Sequence, residues 1–232
     1  LEALPSELIA VDTGCTDGSI DIVREYADLI VDFPWCHDFS AARNAGLKKA
    51  QGEWFLYLDD DEWFEDVTEI IDFFQSGEYR KYDRAWYNQR NYWNSEGTGY
   101  KDFRVDRIYR RKKGLQFVGK VHELCLPTSD KIKFFSSYVH HYGYVYKSIE
   151  EKNKHSERNV TLLLKEVEEN PDNVHMVAQL IQEYRAAAKY EEAKQLRSTT
   201  LARCKPQQYL NVVVQYIITS VLSLFRIEQN EA

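Results

Sequence analysis

Three consecutive aspartates, Asp59, Asp60 and Asp61, directly follow the apolar segment EWFLYL at residues 53–58. Adjacent carboxylates repel one another, and each of them loses solvation if the end of that segment lies in a cleft. A divalent cation such as Mn²⁺ or Mg²⁺ binds carboxylate oxygens and would remove both costs. The pattern therefore predicts a divalent metal site here, and a solvated turn without a metal is the alternative.

A further carboxylate, Asp12, ends another apolar segment, ELIAVD at residues 7–12, and a glycine-rich turn follows it. In open parallel sheets, ligands bind beyond the carboxyl ends of the strands, so we expect Asp12 and the aspartate triplet to lie at the same edge. Gly14 and Gly18 would let a flat ligand approach the backbone closely. The alternative role for Asp12 is that of a simple turn or helix-capping aspartate.

The segments that position these residues alternate between strand and helix patterns. Strands are predicted at residues 7–12, 28–33 and 53–58, and helices at residues 19–27 and 38–52. This alternation predicts an α/β fold with a Rossmann-like, mostly parallel sheet, in which the apolar segment 53–58 is a central strand. The aromatic, turn-broken segment 82–146 is expected to form strands or a lid-like excursion over one side of the site.

The last third of the chain has a different pattern, which predicts a small all-α domain. Residues 170–196 resemble one tetratricopeptide unit, with a helix, a short turn and a second helix. Residues 210–225 predict an amphipathic packing helix and not a membrane span, because polar residues interrupt the apolar run. We therefore predict two domains, 1–146 and 147–232.

Composition limits the classes of function. A hydrophobic content of 44 % with 14 % aromatic residues is enough for a buried core, and the net charge of −7 argues against nucleic-acid binding. The four cysteines are widely spaced, which favours reduced thiols and a cytoplasmic location. No signal peptide or membrane span is predicted, which leaves peripheral association with a membrane open.

Three blocks of sequence together resemble the family 2 glycosyltransferases of the GT-A fold. They are VDTGCTDGS at 11–19, DFSAARNAGLKKAQGEWFLYLDDDE at 38–62 and VGKVHE at 118–123. The resemblance covers about residues 5–145. It is strongest to the lipopolysaccharide-core glucosyltransferase type and to the bacteriocin-peptide type, which carries tetratricopeptide-like helices behind its catalytic domain. In this family one more strand precedes the position where this chain begins, so we expect the first strand to be missing.

The resemblance implies a metal-dependent, inverting transfer of a hexose from a nucleoside-diphosphate sugar, UDP-sugar being favoured, to a saccharide or peptide acceptor. It implies that Asp12 accepts a hydrogen bond from the nucleotide base and that Arg43 lies near the nucleotide. Asp59 and Asp61 match the D-x-D motif, where the earlier aspartate holds ribose and the later one binds Mn²⁺ or Mg²⁺ at the diphosphate. Asp59 is also a candidate metal ligand, and Asp60 is assigned to the donor site with it.

Glu123, in GKVHEL, is the candidate general base that takes the acceptor proton. The alternative is a structural carboxylate paired with Arg107 or Arg110. His140 and His141 are adjacent in a predicted strand and therefore point to opposite faces, so at most one of them faces the site. We predict His141 as a further metal ligand.

Two other classes of function stay open at this point. Two-metal phosphoryl hydrolases and nucleases also cluster carboxylates at a strand end, although they do not need the glycine-rich turn after Asp12. A non-enzymatic alternative is a degenerate transferase that acts as a binding module. In either case the helical tail is a candidate surface for a protein partner or a dimer contact.

Overall fold

The computed structural model describes residues 4–187 and 189–203. The chain divides into two compact units, Leu1–Glu151 and Lys152–Ala232. This division falls a few residues after the predicted domain boundary at 146. The predicted amphipathic helix at residues 210–225 lies outside the described residues.

The first unit begins with a small parallel pair of strands. Strand β1 (Ile9–Asp12) pairs with β2 (Leu29–Asp32), and the short helix α1 (Ser19–Val23) connects them. Asp12 and Asp32 are partners in this register, so both strands end at the same edge. The strand–helix–strand start therefore matches the predicted alternation.

A five-stranded sheet forms the centre of the first unit. Its strands, in spatial order, are β3 (Trp54–Leu56), β6 (Tyr100–Arg110), β5 (Arg84–Tyr92), β9 (Ile132–His141) and β4 (Glu62–Phe64). The β5–β9 pair is parallel, and the three other pairs of this sheet are antiparallel. A separate antiparallel hairpin consists of β7 (Gln116–Val118) and β8 (Leu124–Leu126).

The predicted α/β class agrees with this architecture, but the sheet is mixed where a mostly parallel one was expected. Residues 82–146 are no excursion, because β5, β6 and β9 are the longest strands of the sheet. β5 shows why: its side chains alternate between buried and half-buried positions along most of its length, as in a strand with one core face.

Strand β3 corrects the expectation of a central strand, because it lies at the end of the spatial order of the described strands. Its apolar run is explained by cover on both faces. Trp54 packs edge-on against Phe73 and Phe74, while Phe55 packs against Phe117. A continuous apolar segment therefore indicated two covered faces and not a central position in the sheet.

Two helices pack against these strands in the first unit. Helix α2 (Phe39–Lys49) begins after Asp38, whose side chain accepts a hydrogen bond from the Ala41 amide at 2.8 Å and so caps the helix. Helix α3 (Thr68–Gln75) buries Ile70 and Phe73 in the core of the sheet. Helix α2 is the element that positions the candidate site.

The second unit is helical. Helix α4 (Ile149–Glu169) leads into it, and α5 (Val174–Ala186) and α6 (Tyr190–Arg203) follow with a short connection between them. The last two correspond to the pair predicted from the tetratricopeptide-like segment. Leu162, Leu163 and Leu180 are almost fully buried and form its core. No helix within the described residues has the length and apolar content needed to cross a membrane.

Candidate active site

Helix α2 contacts two segments that are distant from it in the chain. The hydroxyl of Ser40 donates to the carbonyl of Gly119 at 2.6 Å, and the side chain of Asn44 exchanges two 2.9 Å hydrogen bonds with the backbone of Phe117. On another side, Gly46 lies so close to Val11 of β1 that a Cβ would be 3.0 Å from its methyl group. The helix therefore holds the segment after β7 and strand β1 in fixed positions.

Arg43 projects from this helix and binds two carboxylates at once. Its Nη1 and Nη2 donate to the two oxygens of Asp59 at 2.9 and 3.3 Å, and its Nε donates to Glu123. The Arg43 side chain is only 15 % exposed. Two of the three sequence blocks thus meet at a single guanidinium group, since Arg43 and Asp59 belong to the block at 38–62 and Glu123 to the block at 118–123.

Arg107 is the second arginine of this cluster. It donates to Asp59 at 3.0 Å and to Glu62 at 3.2 Å. The guanidinium carbons of Arg43 and Arg107 lie 4.1 and 4.5 Å from the centre of the Tyr57 ring, within the range of cation–π attraction. Burial would raise the pKa of Asp59, but the two arginines outweigh it and lower this pKa to about 2. Asp59 is therefore ionised at neutral pH.

Glu62 holds the turn formed by Asp59, Asp60 and Asp61, which we call the aspartate turn. Its side chain is completely buried and accepts hydrogen bonds from the Asp59 amide at 2.9 Å, from Arg107 and from Gln89. Burial raises the pKa of Glu62, and the nearby charge of Arg107 only partly opposes this. These bonds tie the turn that carries Asp59 and Asp61 to strands β5 and β6.

Asp61 lies beside His141, with its Oδ2 3.4 Å from the ring Nε2. The other ring nitrogen of His141 is hydrogen-bonded to Asn91, which fixes the orientation of the ring. Gly143 leaves room for this pair, because a Cβ at that position would collide with both side chains. Burial would lower the pKa of His141, but the hydrogen bond to Asp61 and the charges of Asp61 and Glu62 outweigh it and raise this pKa.

The donor set at Asp61 suits a metal ion that is completed by substrate. Within the described residues, Asp61 Oδ1 is buried without a hydrogen-bond partner, and no three His, Cys, Asp or Glu side chains are grouped to bind a metal alone. Mg²⁺ and similar ions take one or two protein ligands and fill their shells with phosphate and water. The candidate ligands Asp61 and His141 fit that pattern, whereas both oxygens of the third candidate, Asp59, accept hydrogen bonds from arginines.

Asp12 shapes the glycine-rich turn. Its Oδ1 accepts the amides of Gly14 and Cys15 at 2.9 and 2.8 Å, and these backbone hydrogen bonds lower the pKa of Asp12. This is the geometry of the turn aspartate that the sequence left as an alternative, and a role toward a nucleotide base stays a prediction. Asp60 is exposed in the turn between β3 and β4.

Glu123 lies in the loop between β7 and β8, where His122 adopts a left-handed backbone conformation with φ of 51°. The Glu123 side chain is 10 % exposed and pairs with Arg43. The two partners considered from the sequence are engaged elsewhere, since Arg107 binds Asp59 and Glu62 and Arg110 binds the exposed Glu53 at 2.6 Å. Its role as the general base stays a prediction.

Glu62, Tyr57 and Arg107 belong to the site but were not predicted from the sequence as site residues. Arg107 belongs to the basic segment RIYRRKK, which suggests a solvated hairpin, yet its side chain is only 13 % exposed. Successive side chains of a strand point to opposite faces, so Arg107 and the more exposed Arg110, three positions apart, are expected on opposite faces. This alternation could have distinguished the two arginines. The burial of Glu62 was harder to predict, because a carboxylate that directly follows three others in the sequence suggests an exposed position.

Comparison with known protein families identifies the class of protein to which this chain belongs. The model of the family described as glycosyl transferase family 2 matches residues 2–131, which is more than half of the chain. The chain belongs to this family. The resemblance seen in its sequence blocks is therefore confirmed, together with the GT-A type of α/β fold and its helical tail.

Individual relatives cover different parts of the chain. A TPR repeat-containing protein of Synechococcus elongatus is 30 % identical over 51 % of this chain and 28 % of its own length. The glycosyltransferase SunS of Bacillus subtilis is 27 % identical over 72 % of this chain and 40 % of its own length. This chain thus spans less than half of either relative. The crystal structure of TarS 1–349 of S. aureus is similar with a TM-score of 0.39 and 13 % identity, covering 78 % of this chain and 62 % of TarS.

Proposed function

We propose that this chain carries the catalytic unit of a metal-dependent, inverting glycosyltransferase. It transfers a hexose from a nucleoside-diphosphate sugar, with UDP-sugar as the expected donor, to a saccharide or peptide acceptor. The observation that supports this most is the Arg43 junction, in which one guanidinium group binds both Asp59, the first aspartate of the D-x-D motif, and Glu123. Family membership supplies the class of reaction, and the cluster supplies residues for it.

The donor side of the reaction is assigned to the aspartate turn. Asp61 and His141 would hold a divalent cation such as Mn²⁺ or Mg²⁺, which neutralises charge on the leaving diphosphate. Glu62 keeps Asp61 in place by binding the same turn through the Asp59 amide. Asp59 is held ionised by its two arginines, and the remaining lone pairs of its oxygens would accept hydrogen bonds from ribose hydroxyls.

The acceptor side is assigned to Glu123. A general base must be within hydrogen-bond reach of the proton that it removes. Arg43 fixes the Glu123 carboxylate close to Asp59, which supports a place near the reacting sugar.

A two-metal hydrolase is less well supported by the same contacts. It would need two sets of carboxylates for two ions. Arginines bind both oxygens of Asp59, so Asp61 and His141 stay as candidate ligands for one ion only. We keep the cytoplasmic location and a partner-binding role for the helical tail as further parts of the proposal.

Calorimetric titration of the full chain with UDP, with and without Mn²⁺, tests the donor site. We expect Mn²⁺ to tighten UDP binding by at least about tenfold, which is about 1.4 kcal/mol. Asp61→Asn should lose this metal-dependent gain, because one of the two candidate ligands is gone. Asp12→Ala should weaken binding with and without metal by about 1–3 kcal/mol, since a donor of the base is left unsatisfied.

Asp72→Asn is the matched control, because Asp72 is an exposed aspartate of helix α3 in the same unit. It should bind UDP as the parent does under both conditions. Retention of the full Mn²⁺ effect in Asp61→Asn would remove Asp61 from the metal site. Equal affinity of Asp12→Ala and the parent would leave Asp12 as a turn residue only.

A further inference from the structure

Four aromatic side chains pack together on the face of the sheet opposite Glu62, and we call them the aromatic stack. Trp63 lies nearly parallel to His140 and Tyr142, with ring centroids 5.1 and 5.2 Å away and interplanar angles of 16° and 13°. Tyr92 lies against the same two rings at 5.7 and 4.4 Å. The stack therefore runs across β4, β9 and β5.

Hydrogen bonds hold the stack in place and connect it to the candidate active site. The Tyr92 hydroxyl is 2.7 Å from His140 Nδ1, and the other ring nitrogen of His140 is 3.6 Å from the Glu65 carboxylate. The amide of Tyr142 donates to the carbonyl of Asp61 at 3.3 Å. The stack and the aspartate turn thus share one end of the β4–β9 pair.

Trp63 occupies the outer end of this stack. It belongs to β4, the last strand in the spatial order of the described sheet, and both rings that contact it come from β9 or the residue after it. Those two rings therefore cover the same face of the indole. The residue is 49 % exposed, although two rings pack against it. Trp63 therefore offers exposed aromatic surface next to an ordered set of rings.

The surroundings of Trp63 are polar. Glu65 lies two residues further along and shares its side of the chain, and the Glu65 side chain is 61 % exposed. A carboxylate on the same side of the chain as the indole disfavours a purely apolar partner, because its desolvation would be costly. The same pair suits a ligand that combines an apolar face with a rim of hydroxyl groups.

We propose that Trp63 and Glu65 bind a pyranose ring of the acceptor. A pyranose has one face of C–H groups, which packs on an aromatic ring with loss of apolar hydration, and equatorial hydroxyls that donate to a carboxylate. Because Trp63 faces away from Glu62, the bound ring is a unit of an extended saccharide and not the unit that reacts. This inference rests on the proposed function and selects a saccharide over a peptide as the acceptor.

Saturation-transfer NMR on the full chain tests this binding. The probes are methyl β-D-glucopyranoside, methyl β-D-galactopyranoside and N-acetylglucosamine. We expect saturation to reach mainly H1, H3 and H5, which share one face of a β-pyranoside. Trp63→Ala should reduce the transfer about five- to tenfold through the loss of the aromatic contact, and Glu65→Gln should reduce it less.

Trp93→Ala is the matched control, since Trp93 is an exposed tryptophan (60 %) that is no member of the aromatic stack. It should keep the parental transfer. Trp63→Phe retains an aromatic face and should keep most of the saturation transfer. This second variant tests the aromatic contact even if Trp63→Ala is less stable than the parent. Equal transfer in Trp63→Ala and Trp93→Ala, or no transfer to any of the three sugars, overturns the inference.

Parallel UDP titration separates this inference from the proposed function. UDP binding without sugar transfer signals would overturn the saccharide site and leave the donor site standing. Sugar signals that depend on Trp63 in a chain that does not bind UDP would contradict the proposed function and support the saccharide site.

Discussion

Replacement of Arg43 should disturb the candidate site more than any other single change, because this side chain pairs with two carboxylates. Arg43→Met keeps an unbranched apolar stem near the Tyr57 ring and removes the guanidinium. Glu123, with a side chain that is 10 % exposed, then loses its arginine, whereas Asp59 keeps Arg107. The main cost is therefore one buried carboxylate without its partner.

The magnitude follows from burial on each side of the junction. Removal of one partner from a buried ion pair costs about 3–5 kcal/mol. Asp59 is 36 % exposed, so its lost pair adds little, and we expect the free energy of unfolding to fall by about 3 kcal/mol. The double variant Arg43→Met/Glu123→Gln should regain about half of this loss, because the stranded charge is gone as well.

Urea unfolding followed by tryptophan fluorescence measures this free energy through probes that lie in the first unit alone. All five tryptophans lie between residues 35 and 93, within that unit. Arg110→Met is the control: it breaks the 2.6 Å pair with Glu53, whose side chain is 50 % exposed. It should cost no more than about 1 kcal/mol. Equal losses in Arg43→Met and Arg110→Met, or no recovery in the double variant, would refute this reasoning.

Two further predictions concern single carboxylates. Glu123→Gln should lower sugar transfer by about 10²- to 10⁴-fold with little change in UDP affinity, because Gln still accepts the Arg43 bond but takes no proton; a near-parental transfer rate would exclude the base role. Burial raises the pKa of Asp106 to about 6 despite its 2.6 Å pair with Arg84. The parent should therefore lose up to about 3 kcal/mol of stability as pH rises from 4 to 6, and unfolding of Asp106→Asn over this range should lack that loss.

Much of the first unit could be predicted from local sequence. Asp38 and the apolar positions after it define α2, and the apolar run before Asp59 defines β3. These signals are local, since a cap and a strand pattern involve residues close in the chain. The juxtaposition of Asp61 with His141 was also accessible, because strand alternation excludes one of two adjacent histidines.

The rest of the site depends on contacts between residues far apart in the chain. Arg43 and Glu123 are separated by 80 positions, and nothing in either segment specifies the other. The edge position of β3 and the antiparallel β5–β6 pair follow from how apolar faces are covered, which sequence periodicity does not encode. Ligands generally lie beyond the strand ends, and this rule predicted where the site is. It did not identify Arg107 as the second arginine of the site.

Gly143 imposes a constraint on how related chains can diverge. Its backbone conformation would accept a side chain, but among the described residues Asp61 and His141 supply the three atoms nearest to a Cβ built there, so a side chain would have to displace them. A substitution at 143 would therefore spread among relatives only where one of those two side chains had already been lost. Glycine at this position should consequently co-vary with the aspartate and the histidine, and it would serve as a sequence marker for members that retain both.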